Sequence, residues 1–296
     1  MLRAKNVFVI KPGEQEKSLD VARKLWQRLL DAKADRKSLL VNVGGGVVTD
    51  LGGFVASTFM RGMPFVNVPT SLLAQVDAGI GGKTGINFAG VKNIIGTITQ
   101  PRKVIINTQC LQTLPKRQLR AGFAEIIKYG LVNDKTLFRQ ASSKHPEEFT
   151  QKQMERIIAK SVQIKLRIAG KDPLDMGTRR ILNFGHTIGH AIETTTKLNH
   201  GEAVAVGMRA EAYLSHLKGF LSGRDVCFIE EALKKVNLPI AAHVKTSPVW
   251  KCMRADKKNS NGILRFVLLK SIGKAVFDQT ATKDQVNKAL DYVEDR

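Results

Sequence analysis

Three of the six histidines, His186, His190 and His200, fall within fifteen residues. His186 and His190 are four apart. On a helix that spacing sets both imidazoles on one face, with Cβ atoms about 6 Å apart. Read backward, the same helical stripe takes in Asn183 and Arg179. His200 stands at the head of a further helical pattern, where a side chain projects from a helix start. Neutral imidazole is the commonest protein ligand for zinc, and a catalytic zinc typically takes three protein ligands and keeps one position open. The spacing is not the HExxH of metalloproteases, because Thr187 follows the first histidine and Gly189 precedes the second. A polar helix face with satisfied histidines is the competing account. A carboxylate that would complete a ligand set is Glu125, in the run Arg120 to Gly130. Phe123, Ile126, Ile127 and Leu131 form the apolar stripe of that helix, and Glu125 stands three residues before Lys128. Either the two make a surface ion pair worth roughly 0.2–0.5 kcal/mol, or Glu125, beside apolar residues, is a partly buried metal ligand.

A second chemistry is suggested by glycines. Gly44, Gly45 and Gly46 follow an apolar run and precede a helical stretch that contains Asp50, Gly52 and Gly53. Glycines let a pyrophosphate approach the backbone, and a helix N-terminus favours its negative charge. The spacing is not GxGxxG, so the signal is weak by itself. Gly81, Gly82, Lys83 and Thr84 look like the end of a P-loop, but Asp77 stands where that motif needs glycine. Lys83 therefore needs another role. Thr70-Ser71 and Lys92-Asn93 lie in adjacent loops.

The elements that must position these residues fall into two textures. Helical spacing over 18–33 and 49–60 alternates with short apolar runs at 38–43, 64–68 and 103–107. The first of these runs reads as a buried strand. Strands alternating with helices imply a parallel α/β layer. From about Leu114 helical patterns dominate, over 117–131, 148–170, 179–195, 201–219 and 224–236. A β-like piece at 262–269 and a terminal amphipathic helix follow. The expected division is an α/β domain over 1–115 and a mainly α-helical domain over 116–296.

Composition narrows the classes. The 296 residues are 43% hydrophobic and 25% charged, the profile of a globular chain. No apolar run approaches the ~20 residues a membrane span needs, and the N-terminus does not read as a secretory signal. Three cysteines with no CxxC pair point to a reduced, cytoplasmic compartment. The formal charge of +21 attracts anions. Nucleic-acid surfaces usually interleave basic clusters with aromatics, whereas aromatics here are 6% and the basic residues are dispersed. An anionic small molecule is the favoured partner over nucleic acid, and no membrane partner is expected.

Six segments then occur in one order: GGGVVTDLGGFVASTFMRGMPFVNVPTSLLAQVDAGIGGKTGIN, KNIIG, AGFAEIIKYG, LNFGHTIGHAIE, HGEAVAVGM and DKKNSNGILRFVLL. Together they resemble 3-dehydroquinate synthase, of the sugar-phosphate cyclases, over nearly the whole chain. The resemblance implies a Rossmann-like parallel-sheet domain followed by a mainly helical metal-binding domain, with NAD and a divalent cation, Zn2+ or Co2+, as cofactors. It implies conversion of 3-deoxy-D-arabino-heptulosonate 7-phosphate to 3-dehydroquinate and phosphate in the shikimate pathway, with no net redox change. It assigns Glu125, His186 and His200 as metal ligands, and His190 as a histidine bonded to the substrate's phosphate region. Lys83, Asn93, Asn183 and one or both of Lys257 and Lys258 look like phosphate and hydroxyl binders. Lys165 and Arg179 look like the grip on the substrate carboxylate, and Asp77 and Lys128 like hydroxyl contacts. Gly45, Gly46, Val47, Asp50, Thr70, Ser71 and Lys92 look like NAD contacts, with Thr113 nearby, and Glu14 and Lys17 lie on the NAD side. Arg61 resembles a residue that reaches into a second subunit, which implies a homodimer.

Three departures from the family pattern are expected to matter. Against the family pattern the usual N-terminal segment is expected to be lacking, and with it the first strand or strands of the NAD-binding domain. Asp175 stands where the family has glutamate, one methylene shorter in a proton-acceptor or positioning role. The chain is also more basic than the family usually is. The alternatives are a sister cyclase acting on a sugar phosphate without a carboxylate, and an inactive truncated paralogue with a binding role.

Overall fold

A computed structural model describes residues 6–255 and 263–295, so Lys257 and Lys258 lie outside the described residues. The chain divides into two compact units, Met1–Leu114 and Pro115–Arg296.

The first unit is α/β. Helix α1 (Leu19–Asp31) starts at Ser18, whose hydroxyl accepts the Val21 N–H. Strand β1 (Leu40–Gly44) leads into α2 (Gly46–Thr58), and strand β2 (Phe65–Pro69) runs parallel to β1 with Leu40 opposite Phe65. A hairpin follows, β3 (Lys83–Phe88) and β4 (Val91–Ile98), and then the short strand β5 (Lys103–Val104), parallel to β2. The parallel sheet has the order β1-β2-β5. At its centre Asn42 and Asn67 stand opposite one another. The Asn42 amide donates to Asn67 Oδ1 at 3.0 Å, and Asn67 donates to the Gly79 carbonyl at 3.0 Å. These bonds satisfy polar groups that burial would otherwise penalise. Gly52 lets α2 lie against this ladder, because a Cβ there would stand 2.0 Å from Asn42 Oδ1. Phe54, Val55, Phe59, Phe65 and Ile86 form the core with Ala22 and Leu29 of α1.

One expectation for this unit fails. The run 38–43 reads as a buried strand, yet Asn42 is its buried residue and Val43 is 59% exposed. Side chains alternate across a strand. Val41 and Val43 therefore face away from α2, and the described residues leave that face exposed. The apolar run tells of β structure but not of which face is covered.

The second unit is mainly helical: α3 (Lys116–Asn133), α4 (Lys135–Ala141), α5 (Gln151–Lys171), α6 (His186–Thr195), α7 (His200–Leu217), α8 (Gly223–Lys235) and α9 (Thr246–Ala255). The antiparallel pair β6 (Phe266–Ser271) and β7 (Lys274–Gln279) and helix α10 (Lys283–Tyr292) complete it. Capping boxes start α5 at Thr150, α7 at Asn199, α8 at Ser222 and α10 at Thr282. Ile188, Ile192, Val206, Leu214, Phe266 and Leu268 lie in one core cluster of α6, α7 and β6.

The expected single helix over 179–195 is broken. Thr178–Asn183 forms a 3-10 turn, Gly185 adopts φ 78°, and α6 begins only at His186. Apolar periodicity runs through the break, because glycine in a helical pattern does not announce a left-handed turn. Arg179 and Asn183 therefore do not extend the face that carries His186 and His190.

Candidate active site

Helix α3 is buried on every side from Ala121 to Val132. Glu125 is 0% and Lys128 2% exposed, so their ion pair, Lys128 Nζ on Glu125 Oε2, is not the surface pair that spacing alone permits. His186 is the first residue of α6 and His190 follows one turn later, their ring centroids 5.1 Å apart. His200 is the first residue of α7, placed by the Asn199 capping box, and its ring lies 5.5 Å from that of His186.

The Nε2 atoms of both His186 and His200 point at one oxygen, Glu125 Oε1, at 3.5 and 3.4 Å. Their Nδ1 atoms are engaged on the other side, with the Phe184 carbonyl at 3.0 Å and Glu193 Oε2 at 3.2 Å. A proton held at Nδ1 by an acceptor leaves the Nε2 lone pair free for a metal. Candidate ligand atoms of Glu125, His186 and His200 all lie within 4.8 Å of one another. Both Glu125 oxygens are buried; Oε2 takes the Lys128 ammonium, and Oε1 faces the two Nε2 atoms. A buried carboxylate is costly unless positive charge neutralises it, and the Lys128 ammonium supplies part of that charge. Two imidazole nitrogens and one carboxylate oxygen are a catalytic-zinc donor set, and these residues fit a divalent cation.

Charges at the site follow from the same geometry. Burial alone would raise the Glu125 carboxyl, but the Lys128 ammonium and the two imidazoles hold it well below the ordinary glutamate value. Burial opposes charge on His200, yet Glu125 and Glu193 outweigh it and push that imidazole up to about 10. Burial and the neighbouring Lys128 hold His186 down to about 3.

Other expected residues of this unit are also buried. Lys165, on α5, is 6% exposed, and Arg179 is 2% exposed. The Asp172 carboxylate accepts the N–H groups of Met176, Gly177 and Arg179 at 3.0, 2.7 and 3.0 Å. It thereby fixes the turn that presents Arg179, whose guanidinium also donates to the Pro173 carbonyl. Asp175 lies inside this turn with φ 59°, and Asn183 is half-buried at the end of the following 3-10 segment.

In the first unit, Gly45 caps α2, and Gly46 and Val47 form its first turn, where N–H groups have no intrahelical acceptor. Ser71 Oγ would lie 3.2 Å from a Cβ on Gly45, so the Thr70-Ser71 segment stands beside that helix start. Lys17 is 3% exposed, and its ammonium bonds Asp50 Oδ2 at 2.7 Å, Asn93 Oδ1, and Glu14 Oε1 at 3.5 Å. Burial pulls this ammonium's pKa down, but Asp50 and Glu14 outweigh it and raise it. Glu14, Lys17, Asp50 and Asn93 thus form one cluster, tied further by Asn87, which donates to Glu14 Oε1 and accepts the Asn93 N–H. Asp77 lies in the π-helical turn Ala74–Ala78, Lys83 opens β3, Lys92 is exposed on β4, and Thr113 ends a 3-10 turn. Arg61 is exposed, and it and Met60 hold φ 66° and 50°.

The family model described as 3-dehydroquinate synthase N-terminal matches residues 7–121, and the one described as 3-dehydroquinate synthase C-terminal matches 122–259. The chain belongs to the 3-dehydroquinate synthase family. Among curated relatives named 3-dehydroquinate synthase, that of Pyrococcus furiosus is 45% identical over 279 residues, 93% of this chain and 81% of its own length. That of Dehalococcoides mccartyi is 40% identical over 284 residues, 94% of this chain and 79% of its own length. A solved 2-epi-5-epi-valiolone synthase from Streptomyces hygroscopicus, with NAD+ and Zn2+ bound, superposes with a TM-score of 0.90 at 31% identity. It covers 96% of this chain and 81% of that one. A 2-deoxy-scyllo-inosose synthase complexed with carbaglucose-6-phosphate, NAD+ and Co2+ gives 0.86 at 28% identity over 95% and 81%. The α/β fold with a second, helical unit is that of these cyclases.

Three carboxylates around the candidate site residues were not singled out by the sequence pattern. Asp172 orders the Arg179 turn, Glu193 holds His200, and Glu211 binds the start of α6. Glu193 left a signal, since His186, His190 and Glu193 follow i, i+4, i+7 on one helix stripe. Asp172 and Glu211 left none, because each acts on backbone N–H groups that sequence does not locate.

Proposed function

We propose that this chain catalyses the metal- and NAD-dependent conversion of 3-deoxy-D-arabino-heptulosonate 7-phosphate to 3-dehydroquinate and phosphate, a carbon–oxygen lyase reaction of the shikimate pathway. The observation that carries the reading is Glu125: a buried carboxylate whose Oε1 is faced by the Nε2 atoms of two imidazoles and whose Oε2 pairs with Lys128. When bound, the nucleotide supplies a reversible hydride acceptor, and a Zn2+ or Co2+ ion supplies a Lewis acid for neighbouring substrate hydroxyls.

The chain's own residues then orient the substrate and carry its charges. Glu125, His186 and His200 hold the cation, with Phe184 and Glu193 fixing the imidazoles. Lys128 keeps Glu125 ionised and meets a substrate hydroxyl, as does Asp77. His190 donates to the phosphate region, with Lys83, Asn93, Asn183 and the Lys257–Lys258 pair as phosphate and hydroxyl binders. Arg179 and Lys165 grip the carboxylate, the guanidinium fork matching its two oxygens. Asp175 accepts or positions a proton. The start of α2 receives the pyrophosphate of NAD through Gly45, Gly46 and Val47. Asp50, Thr70, Ser71, Lys92 and Thr113 contact the rest of the nucleotide, and Glu14 and Lys17 close its adenosine side. Residues 1–115 are accordingly the NAD-binding domain and 116–296 the metal- and substrate-binding domain.

Two consecutive non-glycine residues at positive φ, Met60 and Arg61, cost about 1–3 kcal/mol each. Such strain suits a residue displayed for a purpose, and Arg61 is assigned to the site of a second subunit in a homodimer. Among the described residues no helix is long and apolar enough to cross a membrane. Three free cysteines suit a reduced cytoplasm.

The test is phosphate release by purified protein supplied with NAD and Zn2+ or Co2+, comparing the heptulosonate phosphate with a sugar phosphate that lacks a carboxylate. Release from the carboxylate substrate alone is expected. Turnover solely of the carboxylate-free compound would transfer the chain to the sister cyclases, and turnover of neither, with NAD still bound, would make it a binding protein.

A further inference from the structure

Glu211 lies eleven residues beyond His200 on α7, 0% exposed. Its carboxylate accepts three backbone N–H groups: Gly185 on Oε2 at 2.7 Å, and Thr187 and Ile188 on Oε1 at 3.0 and 3.2 Å. These groups flank His186. The first N–H groups of a helix have no intrahelical acceptor. At α1, α4, α5, α7, α8 and α10 a local side chain accepts one: Ser18, Asp134, Thr150, Asn199, Ser222 and Thr282. The residue before α6 is Gly185, which has no side chain, and the acceptor comes from another helix.

We infer that Glu211 is a positioning residue for the metal centre, locking the α6 start that carries His186 to the helix that carries His200. The inference rests on the metal-centre reading given above and extends it to a residue outside the three-ligand set. A local cap would fix α6 only against its own preceding chain. Glu211 fixes it against α7, so two of the three ligands share one frame. The His186 ring is referenced to the same turn, because its Nδ1 meets the Phe184 carbonyl. Both carboxylate oxygens are engaged, so an amide cannot substitute: one of its two ends would turn N–H groups toward N–H groups. Close packing supports the arrangement, since a Cβ on Gly207 of α7 would stand 2.0 Å from the Gly185 carbonyl oxygen.

The test is a Co2+ titration of full-length metal-free protein, read by visible absorption, for the parent, Glu211→Gln and Ser215→Ala. Ser215 is the control. It is equally buried one turn further along α7, donates to the Glu211 carbonyl and accepts the Leu269 N–H, so its loss weakens the same helix without releasing the α6 turn. Glu211→Gln is expected to bind Co2+ on the order of ten- to a hundredfold more weakly, and at saturation to show an altered ligand-field spectrum. Ser215→Ala is expected to keep the parent's affinity and spectrum while unfolding more easily. A Glu211→Gln titration that superposes on the parent's overturns the inference, and so does a Ser215→Ala spectrum shifted to the same degree. Should Glu211→Gln not fold, Glu211→Asp, with a carboxylate one methylene short, is read by the same criteria. Absence of Co2+ binding by the parent would remove the metal-centre reading itself, and this inference with it.

Discussion

Replacing Glu125 by glutamine keeps the side-chain shape and removes the negative charge paired with Lys128. Both residues are within 2% of complete burial, so solvent screening does not soften the loss. Breaking a buried pair by removing one partner costs about 3–5 kcal/mol. There is an upper bound, because a stranded ammonium can shed its proton. For an ordinary lysine at pH 7 that costs about 4.6 kcal/mol, close to the top of the range. Glu125→Gln should therefore lower the metal-free unfolding free energy of the second unit by about 3–5 kcal/mol. The double variant Glu125→Gln, Lys128→Met leaves no unpaired charge and should lose less than the single variant. Urea titration of metal-free protein measures this. Trp250, in α9, reports on the second unit and Trp26, in α1, on the first. A second arm adds Zn2+. At about a thousandfold excess over its dissociation constant the ion should stabilise the parent by about 4 kcal/mol and leave Glu125→Gln unmoved. A single variant unfolding at the parent's midpoint without metal, or gaining as much from Zn2+, would refute the buried-pair and ligand assignments respectively.

Three further outcomes are expected. Lys17→Met removes the ammonium that joins Asp50 to Asn93, and NAD affinity measured by fluorescence titration should fall about tenfold or more, or 1.4 kcal/mol; unchanged affinity would remove Lys17 from the nucleotide site. Arg179→Lys keeps the charge but loses the guanidinium fork, so kcat/KM for the carboxylate substrate should drop roughly 10- to 100-fold, the worth of a charged hydrogen bond, and turnover equal to the parent's would dissociate Arg179 from the carboxylate. Asp134 caps α4 through the Leu137 N–H at 2.9 Å and pairs with Lys160 at 3.1 Å. Burial is the largest single influence and opposes its charge, but the Leu137 N–H and Lys160 together outweigh it and lower its pKa below 3.8. Its stabilisation is therefore complete above that value and lost as pH falls through the lower folded one. Asp134→Ala should cost about 1 kcal/mol at pH 7, and the difference from the parent should shrink on acidification below about pH 4; a gap that persists at acid pH would contradict this.

Local physics was legible from residue types and spacing. Periodic apolar residues announced α1, α3, α5, α7 and α8, because a helix face is written at i, i+3 and i+4. The i, i+4 spacing of His186 and His190 announced two facing imidazoles, and the ordered motifs announced the family. Tertiary structure decided what spacing leaves degenerate. An i, i+3 Glu–Lys pair is written identically whether it faces water or lies 0–2% exposed, as Glu125 and Lys128 do. The apolar pattern over 179–195 continues through Gly185, and the left-handed turn there shows only once α7 lies close enough to receive it. The β3–β4 hairpin, read as a rejected P-loop and its adjacent loops, is defined by partners across a turn. Glu211 looks like an ordinary helix residue until the backbone N–H groups it binds, 23 to 26 positions earlier, are brought to it. In each case the deciding interaction joins atoms distant along the chain, and distance along a chain carries no record of contact in space.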